Sequence, residues 1–202
     1  PPARVTSAAC AGCGTCAAEC KFSAIQMRHF GDQAIYAQID AILEEDPQEK
    51  IVTFACNWCS YAGADTAGVG RMAYPPNARI IRTMCSGRVN PEFVWYAFKK
   101  GAPVVLVSGC HYVDCHYIDA NRSTVRRLDG LWDGLEKAGL RPERLLLEWC
   151  SAAEGARWQT IMKEVEKKRQ SVTAEEIEQT RSLLAQARVP GPRNPKASDE
   201  KQ

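Results

Sequence analysis

Three short apolar runs in this chain each end on a cysteine. Ile51-Val52-Thr53-Phe54-Ala55 leads into Cys56, Arg79-Ile80-Ile81-Arg82-Thr83-Met84 into Cys85, and Pro103-Val104-Val105-Leu106-Val107-Ser108-Gly109 into Cys110. Short β-branched runs of this kind read as buried strands of a parallel sheet. Parallel strands deliver whatever follows them to one edge, and the carboxyl edge of an open α/β sheet is where ligands bind. Cys59 and Cys115 each add a thiol from the loops that follow Cys56 and Cys110. Thiols gathered on one edge predict a metal or redox site.

The stretches between the runs carry helix signals. A short helix is expected after Cys59, ending before Tyr74-Pro75-Pro76. Asn90-Pro91-Glu92 is an N-cap, a first-turn Pro and an early acid, and Gly101 is the stop. Val125, Leu128, Trp132 and Leu135 make an apolar stripe on a helix over about 121–138. Leu145 to Trp149 is a fourth strand candidate, and Ser151 with Glu154 matches a capping box before a helix bearing Trp158, Ile161, Met162 and Val165. Alternating strands and helices predict an α/β fold: a parallel four-stranded sheet with right-handed crossovers and helices on both faces, flavodoxin-like.

Upstream, Cys10-Ala-Gly-Cys13-Gly-Thr-Cys16-Ala-Ala-Glu-Cys20 has the C-x2-C-x2-C-x3-C spacing of a bacterial 4Fe–4S ferredoxin. Gly12 and Gly14 allow the backbone to turn tightly beside such a cluster. Cys20 is expected to open a short helix, and in this pattern normally ligates the other cluster of a pair. Lys21 stands where the pattern has Pro, and the run occurs once. The chain also begins at Pro1 without Met. The reading is therefore half of a bacterial ferredoxin-like module over residues 1–45, with its other half upstream, although Cys20 closing its own cluster stays open. A helix is expected over 33–43, with Ile35, Ile39 and Ile42 inward. Glu44 to Glu49 reads as the linker to a second domain over 46–170.

Length and composition agree. A chain of 202 residues holds one full domain and a smaller one. A net charge of +2 leaves no electrostatic footprint for nucleic acid. No apolar run approaches the roughly 18 residues of a membrane helix, and no signal peptide is visible. A cytoplasmic setting is expected. Ten cysteines at close spacings then favour metal ligation over disulfides.

Several chemistries fit the thiol-bearing edge. Cys56-x-x-Cys59 between a strand and a helix suits a thiol–disulfide oxidoreductase. Four thiolates on zinc would make a structural staple for an interaction module. A 2Fe–2S cluster uses the same ligands and would sit beside a second electron carrier; C-x4-C also occurs in that ligation. His111 and His116 follow cysteines and read as neighbours of the site, not ligands. Cys150 has no close partner and reads as a buried cysteine. Trp58, Tyr112 and Tyr117 shield or pack. The glycines at 63, 68 and 70 match no nucleotide-binding fingerprint, and no catalytic triad or carboxylate pair stands out. In residues 171–202, Thr173 with Glu176 caps a helix to about 187, expected to be solvated or weakly docked, and a disordered tail starts at Pro190.

Cys-Asn-Trp-Cys-Ser-Tyr-Ala-Gly-Ala-Asp (56–65), Arg-Met-Ala-Tyr-Pro-Pro-Asn (71–77), Arg-Thr-Met-Cys-Ser-Gly-Arg-Val (82–89), Gly-Cys-His-Tyr-Val-Asp-Cys-His-Tyr (109–117) and Glu-Trp-Cys-Ser-Ala-Ala-Glu-Gly (148–155) resemble the delta, iron–sulfur subunit of methyl-viologen-reducing (F420-non-reducing) hydrogenase. Residues 1–45 resemble the C-terminal ferredoxin end of the large, A-type subunit of heterodisulfide reductase, so the whole resembles the tail of a fusion of the two. The resemblance implies a non-catalytic electron-transfer subunit in an obligate multi-subunit complex. It would relay electrons from a hydrogenase or formate dehydrogenase to a flavin-bifurcating heterodisulfide reductase core. It also implies a 2Fe–2S cluster on four of Cys56, Cys59, Cys85, Cys110 and Cys115, beside a 4Fe–4S cluster on Cys10, Cys13, Cys16 and Cys20.

Overall fold

A computed structural model of the chain describes residues 4–189. The tail expected from Pro190 lies outside the described residues. Four strands form one sheet: β1 (Ile51–Cys56), β2 (Ala78–Thr83), β3 (Val104–Gly109) and β4 (Leu145–Trp149). The order is β2-β1-β3-β4, and every pairing is parallel. This is the expected α/β architecture, with the doubly wound order of flavodoxin-like sheets. β1 and β3 are central and buried at every residue, which is why they read as unbroken apolar runs. β2 is an edge strand, so Arg79 and Arg82 reach solvent from it.

Helices cover both faces. α3 (Ser60–Val69) and α6 (Gly155–Gln170) lie on one, where Ala64, Ala67, Trp158, Ile161 and Met162 meet Ile51, Ala55, Val104 and Leu106. α4 (Pro91–Lys99) and α5 (Ala120–Lys137) lie on the other, where Phe93, Phe98, Leu128, Leu131 and Leu135 meet Val52, Phe54, Val105 and Val107. Alternate residues of β1 and β3 thus face opposite layers, as the period of two requires. No helix among the described residues is long and apolar enough to cross a membrane.

The predicted caps form at two helices. The Asn90 side chain accepts a hydrogen bond from the Glu92 N–H at 3.0 Å, with Pro91 in the first turn of α4. Thr173 accepts from the Glu176 N–H at 3.2 Å and opens α7 (Ala174–Gln186). At α6 the match takes another form. Glu154 reaches back to the Ser151 N–H at 2.7 Å, closing a turn, and the helix begins only at Gly155.

Two expectations are corrected. α7 is docked, not solvated: Ile177, Thr180 and Leu184 are buried, and Leu184 joins the core against α4. The helix in the N-terminal cysteine run, α1 (Thr15–Glu19), does not start at Cys20 but ends there; Gly14, with φ of 82°, precedes it. The left-handed turn at Gly14 reverses the chain before Cys16, so the helix must begin earlier. α2 (Asp32–Leu43) places Ile35, Ile39 and Leu43 in the same core as Phe93 and Val94, with Ile42 packed on its margin.

Candidate metal centre

β1 and β3 are neighbours, and their chains leave in opposite directions, β1 toward β2 and β3 toward β4. A crevice opens past the carboxyl ends at such a switch point. Cys56 is the last residue of β1, and Cys110 is the first beyond β3. Their sulfurs lie 3.8 Å apart. Cys59, at the N-terminus of α3, completes a trio whose sulfurs all lie within 4.8 Å of one another. Cys85 follows β2; its sulfur accepts the Gly87 N–H at 3.3 Å and interacts with Cys56. Cys115, half-exposed on the loop after Cys110, packs against the trio. The five thiols expected at the sheet edge are therefore gathered there.

Side-chain hydrogen bonding with Cys110, Cys59 and Cys85 holds the Cys56 thiol far below the ordinary range. In return Cys56 raises Cys110 to about 12. Cys59 is pushed up by Cys110 and Cys56, and Cys85 by Cys56 and by burial. A metal bound at such a set lets every sulfur ligate as the thiolate. The spacing fits: two sulfurs about 2.3 Å from a tetrahedral metal stand about 3.8 Å apart. An all-sulfur set selects soft thiophilic metals, namely zinc or iron–sulfur clusters.

A polar layer that the sequence did not flag braces the edge from below. The Ser108 hydroxyl donates to Ser60 at 2.8 Å, Ser60 donates to the Gly109 carbonyl at 3.2 Å, and Thr124 donates to Ser86 at 3.1 Å. Asn121 donates to the Cys110 and His111 carbonyls at 3.2 and 3.0 Å, fastening the loop that carries Cys110. Asn121, Thr124 and Arg127 lie on the buried face of α5 beside Leu128.

The flanking side chains lie near the site without entering it. His111 Nε2 sits 2.6 Å from Glu154 Oε2. The Ser151 N–H and His111 together hold the Glu154 carboxyl down at about 2. His116 stacks on Trp58 at 4.2 Å, and the Trp58 indole N–H donates to the Tyr117 hydroxyl at 2.8 Å. Tyr112 meets Trp149 edge-on. Cys150 directly follows β4 but belongs to the α3/α6 core; burial lifts its thiol to about 11.

The N-terminal cysteines form a looser set. Cys10 and Cys16 are exposed, and Cys13 and Cys20 are half-buried. Among the described residues, no three of these four sulfurs come within 4.8 Å of one another. Gly12 and Gly14 do adopt positive φ, at 77° and 82°. The Cys13 thiol donates to the Thr15 hydroxyl at 3.4 Å. The Ala24 N–H, 3.3 Å from the Cys20 sulfur, lowers that thiol.

Comparison with known proteins agrees with this edge. Residues 51–172 match the family described as methyl-viologen-reducing hydrogenase, delta subunit. The D-type iron–sulfur subunit of the vhc F420-non-reducing hydrogenase of Methanococcus voltae is 52% identical over 123 residues, 61% of this chain and 85% of that protein. The D-type iron–sulfur subunit of the Archaeoglobus profundus F420-non-reducing hydrogenase is 44% identical, over 60% of this chain and 89% of that protein. The A-type subunit of the ferredoxin:CoB-CoM heterodisulfide reductase of Methanosarcina mazei is 47% identical over 193 residues, 81% of this chain, yet this chain spans only 24% of its length. The matched region contains β1 to β4 and all five gathered cysteines. The chain belongs to the methyl-viologen-reducing hydrogenase delta subunit family.

Proposed function

We propose that this chain is a non-catalytic electron-transfer subunit. It would hold a 2Fe–2S cluster on four of Cys56, Cys59, Cys85, Cys110 and Cys115, and a 4Fe–4S cluster on Cys10, Cys13, Cys16 and Cys20. The observation that carries the reading is the trio of sulfurs within 4.8 Å at the switch point, with Cys85 and Cys115 against it. Relatives named as iron–sulfur subunits favour iron over zinc. A bound cluster would supply a one-electron couple. The chain's residues ionise to hold it, direct the Gly87 N–H at a ligand sulfur, and exclude water with buried walls.

The division of labour follows the chain: a ferredoxin-like segment over 1–45, the hydrogenase delta-like domain over 46–170, and a C-terminal helix and tail over 171–202. A relative named as the A-type subunit of heterodisulfide reductase matches over 81% of this chain and supports joint use of the two cysteine sets. The partners would be heterodisulfide reductase core subunits and a hydrogenase, with formate dehydrogenase as the other donor class, in the cytoplasm. The test is a redox titration of the anaerobically purified chain followed by electron paramagnetic resonance. Two sets of reversible one-electron signals, one of which vanishes in Cys56→Ala and Cys110→Ala while the other persists, support the relay. A colourless, silent protein contradicts it.

The second reading, a zinc staple, rests on the same spacing, because zinc also fits a tetrahedral all-thiolate site. Zinc content without acid-labile sulfide would select it.

A further inference from the structure

Arg88 and Arg127 are among the largest fully buried side chains. Burying a guanidinium is costly unless its donors are met. Both are met mainly by the segment that carries the N-terminal cysteines. Arg88 leaves the 3-10 turn Ser86–Arg88 directly after Cys85. It donates to the Phe30 carbonyl at 3.1 Å and pairs with Asp32, 56 positions away. Its aliphatic stem packs against Gly14. Arg127 comes from α5, pairs with Glu19, 108 positions away, and donates to the Gly87 carbonyl at 2.6 Å.

The two pairs press one contact closed. A Cβ on Gly87 would overlap the Thr15 hydroxyl, so glycine is what allows that approach. Thr15 in turn accepts from the Cys13 thiol at 3.4 Å, and the Gly87 N–H points at the Cys85 sulfur at 3.3 Å. Cys13 and Cys85 are thus joined by two hydrogen bonds and one van der Waals contact; with Cys13 ionised as a ligand, the Thr15 hydroxyl becomes the donor to its sulfur. Arg88 Nη1 and Arg127 Nε keep no hydrogen-bond partner, so each guanidinium holds one unmatched N–H beside the junction.

We propose that Arg88 and Arg127 are positioning residues that clamp Thr15 onto Gly87, and that this contact is the electron bridge between the two cysteine sets. The clamp stands on geometry alone, whereas the bridge rests on the iron–sulfur reading. One electron leaves one sulfur-bound centre, which is oxidised, and enters the other, which is reduced; no bond breaks and no proton moves. The starting electron comes from an external low-potential one-electron reductant.

The test uses the full chain with Arg127→Met, Arg127→Lys and Glu19→Gln. The last breaks the same pair from its half-exposed side and keeps the question answerable if Arg127→Met does not fold. In metal-free protein, amide hydrogen exchange over residues 14–20 is expected to rise at least tenfold in Arg127→Met and Glu19→Gln, less in Arg127→Lys, with β1 and β3 unchanged. In iron-loaded protein, magnetic coupling between the two reduced centres is expected to weaken, and electron exchange between them, after rapid mixing with reduced methyl viologen, to slow at least tenfold. Unchanged exchange over 14–20 overturns the clamp. A released segment with undiminished coupling and rate overturns the bridge. Wild-type protein without iron or sulfide removes the bridge together with the function reading, while the metal-free exchange data still decide the clamp.

Discussion

The sulfurs of Cys56 and Cys110, 54 positions apart in sequence, stand 3.8 Å from each other at the ends of adjacent parallel strands. Neither sulfur needs a long side chain to reach the other, because strand pairing sets their separation. A rigid sheet is the most precise support a ligand pair can have, and Cys59, Cys85 and Cys115 come to it from the elements that follow.

For the proposed cluster, Cys85 and Cys115 are the two candidates for a fourth ligand beside the trio. Cys85 is fully buried, takes the Gly87 N–H and interacts with Cys56, whereas Cys115 is half-exposed on its loop. Cys115→Ser is therefore expected to retain iron and sulfide near wild-type content, and Cys85→Ser to lose at least half of what the sheet edge holds. Iron analysis of the two variants decides it, and the reverse order would make Cys115 the ligand.

The docking of α7 is measurable as stability. Leu184 is fully buried against α4, so Leu184→Ala is expected to cost about 2–5 kcal/mol, the usual range for emptying a core site. Urea unfolding of metal-free protein measures it. A shift below about 0.5 kcal/mol, as at surface sites, would mean that α7 lies free.

Glu154 gives a pH signature. Its folded-state pKa, near 2, lies below the ordinary carboxylate value of about 4.3. Its contacts with the Ser151 N–H and His111 therefore add stability above about pH 4.3 and lose it as pH falls toward 2. Metal-free Glu154→Gln should be less stable than wild type at pH 7, with the gap narrowing below about pH 4.3 and closing as pH falls through about 2. A gap of constant size from pH 7 to 2.5 would show that the carboxylate charge plays no part.

The sheet was readable because its cause is local. Central strands buried on both faces have no polar alternation, so β1 and β3 showed as apolar runs whose ends placed Cys56 and Cys110. The caps at Asn90 and Thr173 were equally local. Arg88, Arg127 and Asn121 were not readable as buried residues. Their partners lie at Asp32, Glu19 and the Cys110 loop, and nothing near an arginine in sequence announces a carboxylate 108 positions away. The docking of α7 failed for the same reason, since its two buried aliphatic residues look sparse until α4 supplies the opposing face.

The most direct test of the central claim is metal and sulfide analysis of the full chain purified without oxygen, with Cys10, Cys13, Cys16 and Cys20 changed to alanine so that only the sheet edge can hold metal. The account predicts two irons and two acid-labile sulfides per chain. Zinc without sulfide, or folded protein without metal, would contradict it.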